Sequence, residues 1–375
     1  MQIATSRRVI LEKCLYEDGG VKADTVRAEF NNDKAINNFV RISRKPRCYG
    51  TVLPILPDGR ILLENKINPV SGPSKELFLV NKVSRRSWVL EVSNALGRHL
   101  GFISRKIIKV GEFTPLSGRA DHRCAIFLAF GDYSEGRTRS TEVGLYRPHE
   151  DVLEMLRVGE VNDMATITAI FYYLGTQKIK LQLPDFDRCL ANIRDNTALV
   201  RRVVKKNIHN DKWIQADLVD VFYDGKTLCE NTFICSGKGD GYVAVLPVLP
   251  DGSFVFTKQC KIVDGLSTEL VAGGREEGES WYDAAARELA EEAKLVAGQM
   301  VPLGVFHPVT DMYFNPCHLF LALDCKTTDD QPLGDEVQGI GNFICSREKS
   351  LQMIESGKIR DLSTAATLFA VGLSR

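Results

Sequence analysis

The sequence has no charge of one sign to spare, no long apolar run and no paired cysteines. Lys and Arg number 48, as do Asp and Glu, so the formal net charge is zero. With 44% apolar and 26% charged residues, this composition excludes a disordered chain, a collagen-like or coiled-coil fibre and a small disulfide scaffold. The longest apolar stretches, such as Ala125–Phe130, fall far short of a membrane span. The ten cysteines are scattered singly, and the absence of any CxxC pair argues against a zinc site of the usual spacing. No signal peptide is evident, which predicts a reducing, intracellular compartment. Met1–Lys13 carries Arg7 and Arg8 before its first acid, Glu12, and reads either as a weak transit segment or as a first strand around Val9–Leu11.

What the sequence does have is one unit written twice. Thr51-Val-Leu-Pro-Ile-Leu-Pro-Asp-Gly59 returns as Ala244-Val-Leu-Pro-Val-Leu-Pro-Asp-Gly252, 193 residues later. The same offset aligns Glu76-Leu77 with Glu269-Leu270, Ser87-Trp88 with Ser280-Trp281, and Leu96 with Leu289. Leu156–Asp163 matches Ile354–Asp361 at an offset of 198. These collinear matches predict two homologous domains, 1–180 and 208–375, joined by a basic, partly helical connector over 181–207. Each copy reads as strands separated by Asp-Gly turns, a central helix, more strands, and a last helix, over Ser346–Ser356 in the second copy, with Gly357 as its C-terminal stop. The expected fold class is therefore α/β (or α+β): two tandem α/β/α sandwiches with mixed sheets. Residues 1–193 carry a net charge of +7 and the remainder −7, so the halves have either different electrostatic roles or drifted solvated faces.

The most informative stretch is 273–295. Ser280 followed by Asp283 forms a capping-box signature, and the run to Glu292 is rich in good helix formers. On that helix Glu288, Glu291 and Glu292 share one stripe of about 100°. Three carboxylates on a stripe repel unless a cation sits among them, and hard oxygen ligands select Mg²⁺ or Mn²⁺. Glu279 and Arg287 have opposite charge and are expected to pair, fixing the loop to the helix. The glycines after Ala272 let backbone approach metal and phosphate closely. The competing reading is a solvated acidic helix.

Gly273, Glu279, Arg287, Glu288, Leu289, Glu291, Glu292 and Leu295 stand at the spacing of the Nudix box, and the stretch resembles that family's signature. Lys294 departs from it, standing where the family has its last Gly; a left-handed Lys there costs about 1 kcal/mol. The resemblance implies hydrolysis of a nucleoside diphosphate linked to another group, with Mg²⁺ or Mn²⁺ and an activated water. It implies Glu288 and Glu292 as metal ligands, Glu291 assisting in metal binding and catalysis, the Ala272 carbonyl as a further ligand, and Gly273, Glu279 and Arg287 as structural members. Thr268–Gly273, Thr257–Lys261 and Ile354–Thr364 are similar to segments of ADP-ribose and ADP-sugar pyrophosphatases, which implies substrate contacts from Lys261 and Glu269. In that branch an acidic loop before the last strand supplies the base, which makes Glu336 the candidate, with Asp335 and Gln338 beside it. His307–Phe314 lacks the branch's usual pattern, which leaves the substrate open.

In the first copy Glu279 becomes Arg86, Arg287 becomes Asn94, Glu288 becomes Ala95, Glu291 becomes Arg98 and Glu292 becomes His99. No catalytic metal is expected there. Its cations, Arg98 and Arg105 among them, are expected either to hold a polyanion such as RNA or simply to decorate a degenerate partner kept for packing. Because enzymes of the resembled branch commonly work as homodimers, a fused pair implies a pseudo-dimer within one chain. Three functions follow: an ADP-ribose-like pyrophosphohydrolase; an RNA 5′-pyrophosphohydrolase, with a protein complex as a further partner, suggested by the +7 first half, the basic Arg201–Lys206 connector and the departing 307–314 loop, the half-degenerate arrangement also resembling a mitochondrial mRNA-stability factor; or a non-catalytic RNA-binding scaffold. No membrane partner is expected, and the location is expected to be mitochondrial matrix or cytoplasm.

Overall fold

A computed structural model describes residues 7–18, 20–30, 34–81, 87–116, 120–133, 143–180, 182–261, 265–328 and 339–371. Among them are seven α-helices: α1 (Trp88–Leu100), α2 (Leu153–Val158), α3 (Met164–Thr176), α4 (Phe186–Ala198), α5 (Trp281–Ala293), α6 (Arg347–Glu355) and α7 (Leu362–Val371). They pack on mixed sheets, giving an α/β architecture. No helix is long and apolar enough to cross a membrane.

Secondary structure recurs along the chain at the spacing of the sequence repeat. Strand Lys34–Ile55 runs parallel to Ala120–Tyr133, with Tyr49 opposite Cys124. Strand Tyr242–Pro247 runs parallel to Cys317–Leu323, with Tyr242 opposite Cys317. The hairpins Ile61–Asn68/Gly72–Glu76 and Phe254–Lys261/Gly265–Glu269 keep the same register, pairing Glu64 with Glu76 and Thr257 with Glu269. Helices α1 and α5 each start one residue after a serine cap, Ser87 and Ser280, whose hydroxyl accepts the amide three residues on. Each also ends on a left-handed residue, Gly101 (φ 65°) in one and Lys294 (φ 59°) in the other.

Of the stretch expected to connect the units, 181–207, residues 186–198 form α4. From Val200 onward it belongs to strand Val200–Asn210, paired with Ile214–Tyr223. That strand matches Arg7–Asp18, which pairs with Val21–Phe30. Helices α3 and α7 are additions to the sequence reading, which closed each unit at the preceding helix. Both are apolar on nearly every side, and such a run has no 3.6-residue signature to distinguish it from a buried strand. Each begins on an aspartate cap: Asp163 accepts from the Thr166 amide and Asp361 from the Thr364 amide, both at 2.8 Å.

The two halves share one core. Ile167, Ile170, Phe171 and Leu174 of α3 join Leu362, Ala365 and Leu368 of α7 in a single cluster. A second shared cluster sets Ala23, Val40 and Ile42 against Ile214, Ala216 and Phe233. Two parallel bridges stitch the seam, Thr114 with Asp361 and Asp163 with His307.

Candidate active site

The site is built on α5 and the loop before it. Ser280 Oγ accepts the Asp283 amide at 3.1 Å and donates to the Asp283 carboxylate at 2.7 Å, which fixes the helix start. Arg287 then ties the loop to the helix. Its Nε and Nη2 donate to the two carboxylate oxygens of Glu279 at 3.0 and 3.1 Å, and Nη2 also donates to the Gly274 carbonyl at 2.7 Å. This paired geometry suits a guanidinium and no other side chain. It holds the Glu279 carboxyl below the usual carboxylate range and raises the Arg287 pKa, Glu279 being the main cause.

Glu288 and Glu292 face the strand Val271–Gly274. The Glu288 carboxylate lies so close to Gly273 that a Cβ added there would stand 2.0 Å from its Oε1, so a larger residue at 273 would displace that carboxylate. Glu292 accepts the Ala272 amide at 3.1 Å with one oxygen and Gln259 Nε2 at 2.9 Å with the other. Arg287 Nη1 reaches Glu288 at 2.8 Å and Glu291 at 3.3 Å. Two carboxylates thus abut neighbouring backbone residues, and a third is linked to the first through one guanidinium nitrogen. Among the described residues, no three His, Cys, Asp or Glu side chains stand assembled around a common point. The donor set is nevertheless the hard-oxygen type that suits Mg²⁺ or Mn²⁺.

Around this core lie contacts that no spacing in the sequence signals. Arg275 pairs with Asp240, donates to the Glu279 carbonyl at 2.7 Å and covers one face of Trp281. His318 stacks on Trp281, the ring centroids 3.4 Å apart. His318 is buried, its two ring nitrogens have no hydrogen-bond partner, and burial, with Arg275 adding to it, lowers its pKa to about 3. From α4, Phe186 packs on Tyr282 and Phe320, so the helix between the halves braces the outer face of α5.

The remaining expected residues fall in different places. Lys261 and Glu269 pair with each other at 3.1 Å in a largely buried position. Burial alone would lower the Lys261 pKa; Glu269 beside it outweighs that and raises it. Asp361, buried and near Glu269, has its carboxyl raised to about 6. Arg98 and Arg105 are exposed, on α1 and on strand Phe102–Phe113. Glu336, with Asp335 and Gln338, lies outside the described residues, as does Arg86.

Residues 240–357 match the NUDIX domain family model, and that segment contains the whole of α5 and its loop. Over 102 residues the chain is 33% identical to an ADP-ribose pyrophosphatase of Escherichia coli (strain K12), covering 27% of this chain and 49% of that protein. The ADP-ribose pyrophosphatase of Shigella flexneri matches to the same extent. The chain spans about half the length of the curated relatives it matches. A crystal structure described as an ADP compounds hydrolase overlaps 46% of this chain and 92% of its own at 17% identity, with a TM-score of 0.38, too loose an overlap to argue from.

Proposed function

We propose that the second half is a Mg²⁺-dependent Nudix pyrophosphohydrolase acting on a nucleoside-diphosphate-linked substrate such as ADP-ribose. The observation that carries this reading is the placement of Glu288 and Glu292 against the 272–273 backbone, with Arg287 locking Glu279 beside them. Glu288 and Glu292 would hold the ion, with Glu291 and the Ala272 carbonyl in reserve. A bound divalent ion supplies stabilisation of charge on phosphate oxygens and a more acidic water. The chain's own contribution is position. Arg287 fixes the loop, Gly273 admits the Glu288 carboxylate, and the Ala272 amide orients Glu292. The relatives' activity on ADP-ribose supports the substrate class.

We read the first half as a degenerate copy of the same unit. At the positions of Arg287, Glu288, Glu291 and Glu292 it has Asn94, Ala95, Arg98 and His99, with Ala95 buried and Arg98 and His99 exposed. Its α3 and strands complete the core of the second half.

The test is a substrate panel of ADP-ribose, ADP-sugars, dinucleotides and 5′-triphosphorylated RNA with Mg²⁺, run on the wild type and on Glu292→Gln. Glu292-dependent release of AMP from ADP-ribose is the expected result. Turnover of RNA alone would replace the substrate class, and no Glu292-dependent turnover of any member would leave a binding scaffold.

A further inference from the structure

A cavity of about 380 Å³ opens in the first half, at the seam with the second. Its walls include Tyr49, Glu76, Leu77 and Asp163 of the first half, with Val309 and Thr310 contributed by the second. This size is in the range of small-molecule sites, which combine apolar walls with a few convergent polar groups. The four first-half residues recur unchanged at the matching positions of the second half, as Tyr242, Glu269, Leu270 and Asp361. The helix carboxylates do not recur: Ala95 and His99 stand where the second half has Glu288 and Glu292. The first half thus has the pocket and its polar groups without the carboxylates that would hold a catalytic metal.

Those polar groups are acidic in balance. Glu76 is buried and accepts Asn68 Nδ2 at 2.7 Å and a hydrogen bond from Thr310. Asp163 accepts the Thr166 amide at 2.8 Å and the Thr166 hydroxyl at 2.6 Å on one oxygen. Lys66 Nζ lies 3.1 Å from Glu64 and 3.7 Å from Glu76, and donates to the Leu77 carbonyl at 3.2 Å. One ammonium therefore answers the charge of Glu64, Glu76 and Asp163, and it sits nearest Glu64, which does not line the cavity. The second half differs at this point. Thr257 takes the Glu64 position, and Lys261 meets Glu269 directly at 3.1 Å. Burial, with Asp163 adding to it, raises the Glu76 carboxyl to about 7. A cation in the cavity would relieve that repulsion. A phosphate would meet two carboxylates. A hard divalent ion seeks oxygen on every side, and Tyr49, Leu77 and Val309 offer hydrocarbon instead.

We propose that this cavity is a ligand site of the first half and that it takes a small organic amine, with the ammonium on Glu76 and Asp163 and an apolar body against Tyr49, Leu77 and Val309. The site binds its ligand without turning it over. Because Val309 and Thr310 belong to the second half, binding also ties the halves together. The inference stands apart from the metal site of the second half.

The test is isothermal titration calorimetry of the full chain with benzylamine, benzyl alcohol and benzoate, three probes that share one body and differ in charge, and with adenosine. Wild type is compared with Glu76→Gln, Leu79→Trp and Glu292→Gln. Glu76→Gln removes the charge and keeps an acceptor for Asn68, whereas Leu79→Trp adds bulk at an exposed side chain of the cavity wall. Benzylamine is expected to bind wild type about tenfold or more tightly than the alcohol or benzoate, as for a hydrogen bond between charged groups. It should bind about tenfold more weakly to Glu76→Gln and to Leu79→Trp, and unchanged to Glu292→Gln. Should Glu76→Gln fail to fold, Leu79→Trp decides by the same measure. The proposal is overturned by no binding of benzylamine, by equal binding of the alcohol, by wild-type affinity in Glu76→Gln, or by loss in Glu292→Gln. Tighter binding of adenosine would make this a nucleoside site, and displacement of benzylamine by equimolar Mn²⁺ would make it a metal site; either result also overturns the proposal.

Discussion

Thr114 and His307 occupy the same place in their two halves, and each sends its backbone amide across the seam. Thr114 N–H donates to the Arg360 carbonyl at 2.7 Å, and His307 N–H donates to the Asn162 carbonyl at 2.6 Å. Each receives a bond in return: the Leu362 amide donates to Thr114 O and the Met164 amide to His307 O. The exchange has the reciprocity of a two-fold interface, in which the same patch is used from both sides.

The halves should therefore unfold together. Chemical denaturation of the full chain is expected to show one transition by both far-UV circular dichroism and tryptophan fluorescence. A fragment starting at residue 200 would lose α3 from the side of α7 and expose Leu362, Leu368 and Val371, each of which contributes about 1.5–3 kcal/mol by burial. That fragment should aggregate or self-associate. A soluble, cooperatively folding monomer in sedimentation would count against the shared core.

Lys294→Gly should stabilise the protein. Lys294 closes α5 with φ 59° and ψ 37°, where its amide bonds back to Ala290, and Gly101 does the same for α1. A side chain in the left-handed region costs about 1 kcal/mol relative to glycine. Urea denaturation should show the gain as a higher midpoint with an unchanged slope. No gain would mean that the position carries no strain.

Arg287→Lys should not behave as a conservative change. An ammonium cannot make the paired bonds to Glu279 together with those to Glu288 and the Gly274 carbonyl. A loss of about 2 kcal/mol in stability is expected from charge-assisted hydrogen bonds of this kind. Glu279→Gln should lose less, because its amide can still accept one bond. Equal stability of Arg287→Lys and wild type would remove Arg287 as the tie between loop and helix.

Acid should destabilise the protein partly through buried histidines. Burial, with a nearby arginine adding to it, lowers His307 to about 4 and His318 to about 3, against 6.5 for the free side chain. The folded state thus binds fewer protons than the unfolded chain in that range. The stability these groups contribute is present above about pH 6.5 and is lost as the pH falls through 4 and then 3. Glu76 and Asp361 act in the opposite sense. Burial raises them to about 7 and about 6, and their contribution is lost as the pH rises through those values. His318→Phe keeps a ring against Trp281 while removing one basic group. Its stability relative to wild type should rise as the pH falls from 7 to 4. A constant difference would show that His318 does not take part in acid unfolding.

Much of this was legible in the sequence because it rests on local rules. The Ser280 cap, the pairing of Arg287 with Glu279 and the left-handed Lys294 all follow from spacing along one helix. The repeated Val-Leu-Pro strand marked where the two halves superpose. What the sequence hid is non-local. The Trp281–His318 stack joins residues 37 positions apart through the parallel pairing of Val243 with His318. The α3–α7 core comes from two helices without periodicity, and most of the Val200–Asn210 strand lies in a segment whose Arg and Lys residues suggested a basic, partly helical connector. Gln259 was visible as part of a strand-end motif, but its bond to Glu292 emerges only once strand and helix are brought together.

The most direct test of the central claim is diffraction from crystals soaked in Mn²⁺, with anomalous scattering used to locate the ion. The account predicts a strong peak between the carboxylates of Glu288 and Glu292 beside the 272–273 backbone, and its loss in Glu292→Gln. Crystals that show no peak there at saturating Mn²⁺ with ADP-ribose present, or an equal peak in the variant, would contradict it.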